Sequence, residues 1–219
     1  MNVSREEFLT QTNAMVRSRF EGEGTGHDWY HIDRVRRCAL TIARAENADL
    51  FIVEMGALLH DIADHKFHDG SLEAGPQVAG EWLSNLGISE SDIDRIVAIV
   101  KEVSFKGAGV ATPMSSLEGA CVQDADRLDA IGAIGIARCF AYGGSISQPI
   151  YDPATTTVMH DSFDAYSKTK STSVNHFYEK LLLLKERMNT PKGQEMAAKR
   201  HRVMEDFLDQ FYSEWNEGE

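Results

Sequence analysis

The chain has 219 residues, 42% hydrophobic and 26% charged, an ordinary composition for a folded globular protein with enough chain to bury a core. Its 22 Lys and Arg against 34 Asp and Glu give a formal net charge of -12, which excludes a broad nucleic-acid surface, because neutralising phosphates needs a basic face. No apolar run approaches the ~18 residues of a membrane span, and Met1 to Glu7 carries no apolar signal segment. Cys38, Cys121 and Cys139 are odd in number and lack CxxC spacing, so they read as small hydrophobes in a reducing cytoplasm rather than as a disulfide framework.

In chain order the apolar periodicity is helical almost throughout. Ser4 with Glu7 forms a capping box for a first helix to about Arg19. The Gly-rich stretch Glu21 to Gly26 has no preceding strand and no phosphate-cradling pattern. Asp28 caps a second helix with Ile32, Val35, Ala39, Ile42 and Ala43 on one face, ending about Ala45. Asp49 caps a third, with Phe51, Met55, Leu58 and Leu59, ending near Ala63, and a polar loop follows from His65 to Ser71. The next helix runs from about Leu72 to Leu86 and stops at Gly87. Ser89 caps another with the stripe Ile93, Ile96, Val97, Val100 and Val103. After a loop from Lys106 to Pro113, Ser115 with Glu118 opens a long helix expected to reach about Phe140. Gly143 to Thr157 reads as a connector, and two helices follow, Met159 to Met188 and Pro191 to Trp215, with Pro191 in the first turn. With no hairpin, βαβ unit or interdomain linker, the expectation is one all-α domain over 1–219.

Four side chains stand out as candidates: His31, His60, Asp61 and Asp126. His60-Asp61 closes the apolar run Met55-Gly56-Ala57-Leu58-Leu59, and burying an imidazole and a carboxylate there costs several kcal/mol unless they are paired or coordinated. The dipeptide His-Asp itself is uninformative, since His27-Asp28 and His160-Asp161 repeat it; only His60-Asp61 ends a core helix. His31 lies in the second helix and Asp126 in the long one, so three helices can direct polar groups to one point, as bundles do when they build metal sites.

The ordered set is Trp29-Tyr30-His31-Ile32-Asp33, then Leu58-Leu59-His60-Asp61-Ile62-Ala63-Asp64, then Asp124-Ala125-Asp126-Arg127-Leu128-Asp129. This H…HD…D order on helices resembles the HD-domain superfamily of metal-dependent phosphohydrolases over about residues 26–141. His176 to Leu181, Met188-Asn189-Thr190 and the C-terminal helix extend the resemblance to the small bacterial YpgQ/YedJ-type HD hydrolases. The resemblance implies a helical bundle of the HD-domain type with extra C-terminal covering helices, about 159–215. It also implies that His31, His60, Asp61 and Asp126 hold one divalent ion. Asp126 is chosen over Asp124 and Asp129 by the family's Ala-Asp-Arg-Leu pattern. A two-imidazole, two-carboxylate set suits Mn²⁺, Fe²⁺, Co²⁺, Ni²⁺ or Zn²⁺ better than Ca²⁺ or Mg²⁺, with manganese foremost.

Around that set, Asp64 is the expected acid/base: it falls on the ligand face if the His60 helix continues, and related HD hydrolases carry an acidic residue there. Arg34, i+3 from His31, and Lys66 are candidates for substrate phosphate. Asp129, His176 and Lys180 are further substrate-binding candidates. Asp124 is a brace for a histidine N–H. His65 and His68 read as solvated, and Lys199-Arg200-His201-Arg202 as a solvated face. The activity implied is hydrolysis of a nucleotide, foremost a nucleoside triphosphate to monophosphate and pyrophosphate. A 5'-nucleotidase, a cyclic-nucleotide or alarmone hydrolase, a di-iron enzyme and a non-catalytic sensing module are the alternatives. The partner is a small phosphate-bearing molecule, with neither nucleic acid nor membrane; oligomeric state is not set by the sequence.

Overall fold

The computed structural model describes residues 4–22, 28–62, 74–103, 112–157 and 171–218, and the regular structure among them is entirely helical. The elements are α1 (Arg5–Phe20), α2 (Trp29–Glu46), α3 (Leu50–Leu59), α4 (Ala74–Leu86), α5 (Glu90–Glu102), α6 (Leu117–Asp129), α7 (Gly132–Ser145), α8 (Ser173–Glu179), a 3-10 helix (Leu181–Arg187) and α9 (Pro191–Trp215). The all-α class is the one expected. No helix among the described residues is long and apolar enough to cross a membrane.

The helix starts follow from capping chemistry. Ser4 Oγ accepts from the Glu7 N–H at 3.2 Å and Asp28 Oδ1 from the His31 N–H at 2.8 Å. Asp49 Oδ1 accepts from Phe51 at 3.1 Å, and Ser89 Oγ from Asp92 at 3.3 Å. Thr190 accepts from Gly193, and Pro191 occupies the first turn of α9. At the other ends, Asn47 at φ 58° and Gly87 at φ 77° take the left-handed conformation that terminates α2 and α4.

Four expectations are corrected. The cap of α6 is Ser116, whose Oγ accepts from Gly119 at 3.1 Å; the Ser115 N–H instead donates to Glu102 Oε2, and the Glu118 carboxylate accepts from the Asp49 N–H. The long helix to Phe140 is two helices, broken at Ala130–Ile131. Gly132 sits at φ 75°, and a Cβ there would meet Arg200 Cβ at 2.9 Å. The stretch to Met188 is not one helix: Thr172 caps α8, and Lys180, at φ -144°, leaves the helical path before the tighter 3-10 turns. Arg200 and His201 are not on a solvated face, since Arg200 donates to the Leu128 carbonyl and His201 is buried. The loop His65–Ser71, and most of the one from Lys106 to Pro113, lie outside the described residues.

The chain divides into two compact units, Met1–Phe105 with Thr112–Asp126, and Lys106–Ala111 with Arg127–Glu219. In the first, α3 is central: eight of its ten residues are buried, and it packs against α1, α2 and α5. Gly56 permits this closeness, because a Cβ there would come within 3.1 Å of Ile99 Cγ2. In the second, α9 packs against α7 and the 3-10 helix. Its core is aromatic: Phe177 stacks on Phe207 at 5.7 Å between centroids, and Phe140 meets Phe207 edge-on at 5.7 Å.

Candidate metal centre

The site is built in the first unit from three helix segments. The Asp28 cap fixes the first turn of α2 and with it His31, whose side chain is 0% exposed. His60 follows directly on α3, and its side chain is 1% exposed. The helix does not run on to Ala63 as expected: the chain turns after Leu59, and the Ile62 N–H donates to the Leu59 carbonyl at 3.0 Å. Neighbours on a helix point ~100° apart, yet Asp61 Oδ2 comes to the same side as the His60 ring. From Gly119 to Asp129 every residue is buried except Asp126, so that carboxylate is the one opening in an otherwise sealed helical segment.

The nitrogens and oxygens converge. His31 Nε2 and His60 Nε2 lie 3.3 Å apart, their rings edge-on with centroids 5.3 Å apart. Asp61 Oδ2 is 3.5 Å from each of the two nitrogens. Asp126 Oδ1 is 3.6 Å from His31 Nε2 and 3.9 Å from His60 Nε2. Two ligands each about 2.1 Å from a shared ion would be about 3.0 Å apart at a right angle and about 3.4 Å at a tetrahedral one. The ligand atoms of His31, His60 and Asp126 all lie within 4.8 Å of one another, so these three residues fit a single divalent ion, with Asp61 Oδ2 beside both nitrogens.

The donor chemistry also fits. His60 Nδ1 lies 2.8 Å from the Ala57 carbonyl, to which only an N–H can donate, so Nε2 of the neutral ring carries the lone pair. The two imidazoles are closed off, while Asp61 and Asp126 side chains are 19% and 31% exposed. Access to the centre is therefore past the carboxylates.

The other sequence-derived residues distribute as follows. Asp64, Lys66, His65 and His68 lie outside the described residues. Because α3 ends at Leu59, the argument that put Asp64 on the face of a continuing helix does not hold. Arg34 is half-buried on α2, and Asp124 is fully buried on α6. Asp129 is buried, with Arg138 Nη1 2.7 Å from its Oδ2. His176 lies on α8 and Lys180 at its end; burial, and then the Lys180 charge, push the His176 pKa down to about 3, so its ring is neutral. All three cysteines are free, and burial pushes the thiols of Cys121 and Cys139 up to about 12. Sequence reasoning missed the Ala57 carbonyl, which no side-chain pattern marks. It also missed Arg138 and Arg200, whose sole signal is a basic residue within reach of a helix end.

A family description, HD domain, matches residues 28–131, the stretch that contains His31, His60, Asp61 and Asp126. YpgQ of Bacillus subtilis is 39% identical over 201 residues, covering 91% of this chain and 90% of YpgQ. The chain belongs to the HD-domain superfamily. Its structural neighbours agree: an HD-superfamily hydrolase from Bacillus thuringiensis superposes with a TM-score of 0.77 at 41% identity, covering 98% of this chain and 100% of that one. The structure of B. subtilis YpgQ in complex with ADP gives a TM-score of 0.74 at 36% identity, covering 96% and 98%. As a member of this superfamily the chain is a metal-dependent phosphohydrolase.

Proposed function

We propose that this HD hydrolase acts on nucleotides, converting a nucleoside or deoxynucleoside triphosphate to its monophosphate and pyrophosphate. The observation that carries the reading is that two imidazole nitrogens 3.3 Å apart each have an Asp61 and an Asp126 carboxylate oxygen within 3.9 Å, with the two carboxylates the more exposed side. The nucleotide part is supported by the ADP bound to YpgQ, a relative similar over nearly the whole chain. His31, His60, Asp61 and Asp126 are the proposed ligands, and Mn²⁺ the proposed ion. Bound there, it supplies Lewis acidity toward a phosphoryl oxygen and makes water acidic enough to be a nucleophile near neutral pH.

The protein's own groups do the rest. His60 keeps its lone pair directed at the centre because Nδ1–H is committed to Ala57. Asp64 takes the proton from the attacking water, a role worth about 10²–10⁴ in rate. Arg34 and Lys66 hold phosphate charge. Asp129, His176 and Lys180 stand as substrate-side candidates, with Asp129 acting through Arg138. Three free cysteines suit a cytoplasmic enzyme.

The test is product analysis across a nucleotide panel with Mn²⁺, scoring pyrophosphate against orthophosphate. Pyrophosphate from triphosphates, with monophosphates inert, is expected. Orthophosphate released from monophosphates would overturn the reading in favour of a nucleotidase.

A further inference from the structure

Asp126 lies in the last turn of α6, where helices fray because their final carbonyls lack intrahelical donors. Here that end is held. The Ala130 and Ile131 N–H groups turn back to the Arg127 and Leu128 carbonyls at 3.2 and 3.3 Å. Arg138, on α7, donates to the Asp129 carboxylate at 2.7 Å and lies 3.4 Å from its carbonyl. Arg200, on α9, donates to the Leu128 carbonyl, and its stem packs over Gly132, 2.9 Å from where a Cβ there would stand. Both guanidinium groups sit at the negative end of the α6 dipole, the favourable place for a cation.

We propose that Arg200 is a positioning residue for the metal centre: it fixes the last turn of α6 and so the aim of Asp126. Two features set it apart from an ordinary surface arginine. Its hydrogen bond ends on a main-chain carbonyl two residues beyond Asp126, and the turn that follows uses a left-handed glycine with the Arg200 stem packed over it. A side chain that reads as part of an exposed basic run is thereby committed to the ligand-bearing helix. The proposal rests on Asp126 being a ligand, and its test separates the two.

The test is Mn²⁺ affinity of the full chain after chelation, read from the free Mn²⁺ signal in electron paramagnetic resonance, with thermal melting as a fold check. Arg200→Met keeps the stem and removes the donor. It should weaken Mn²⁺ binding about tenfold, the scale of a lost ligand support. In an Asp126→Asn background the same change should cost less than about twofold, because the residue it positions no longer binds as a carboxylate. Equal losses in both backgrounds, or no loss in Arg200→Met, would overturn the proposal. If Asp126→Asn alone binds Mn²⁺ like the unaltered protein, the ligand reading itself fails. Should Arg200→Met not fold, Arg200→Gln, polar but too short to reach the carbonyl, is scored by the same cycle with the same outcomes.

Discussion

Replacing Gly132 with Ala tests the physical account of the turn that follows α6. Gly132 holds φ at 75°, where an L side chain costs about 1–2 kcal/mol. A Cβ there would stand 2.9 Å from Arg200 Cβ and 3.0 Å from its Cγ, so the Arg200 stem must retreat. That retreat removes the bond to the Leu128 carbonyl, worth about 1 kcal/mol. The stiffer unfolded chain of the alanine variant returns about 0.5–1 kcal/mol. The net is a destabilisation of about 2 kcal/mol, or about 4–8 °C in Tm for a protein of this length. Urea unfolding and a thermal scan measure it directly. Gly132→Asn separates the contributions, since Asn tolerates the left-handed region but carries the same Cβ; it should recover about 1 kcal/mol. An alanine variant as stable as the parent would refute the whole account, and an asparagine variant as damaged as alanine would refute its backbone part.

Other expectations bear on the centre itself. Chelation followed by Mn²⁺ at 100 times its Kd should raise stability by about 2.7 kcal/mol, visible as a reversible rise in Tm; a melting curve indifferent to Mn²⁺ means that the four groups do not bind it. Asp61→Asn should lower metal content in elemental analysis, as should His31→Gln, with helicity by circular dichroism unchanged. Asp64→Asn should retain its metal and lose about 10²–10⁴ in rate, and an undiminished rate sinks the acid/base assignment. His176 has a folded pKa near 3, well below the 6.5 of a free imidazole, so between those values the unfolded chain binds more protons. Its contribution to stability is therefore full above about pH 6.5 and lost as pH falls toward 3. Urea midpoints from pH 7 to 4 should drop less in His176→Gln than in the parent.

The helix starts were legible because a cap is local chemistry: Ser4, Asp28, Asp49 and Ser89 each need only a hydroxyl or carboxylate two or three residues before an N–H. The break between α6 and α7 was not, since its one local signal, Gly132, is a residue that helical patterns tolerate singly, and the side chain that packs over it, Arg200, is about seventy residues away in the chain. Lys180 ends α8 with equally little local warning. At the site, a buried run ending in an imidazole and a carboxylate demands an explanation and singles out His60 and Asp61 by residue type, whereas a lone helical histidine such as His31 drew its weight from the ordered family pattern. Choosing among Asp124, Asp126 and Asp129 needed the family pattern. The coordinates supply the physical contrast: Asp124 is sealed in, Asp129 is engaged by Arg138, and Asp126 stands 3.6 Å from His31 Nε2.

The Ala57 carbonyl that accepts from His60 has a further consequence. Many ligand histidines are braced by a carboxylate, which any single codon change can delete. Here the acceptor belongs to the main chain one helical turn upstream, present whatever amino acid occupies position 57 short of a proline-induced kink nearby. The orientation of this imidazole is thus inherited from helicity alone, and sequence drift around the centre leaves it untouched.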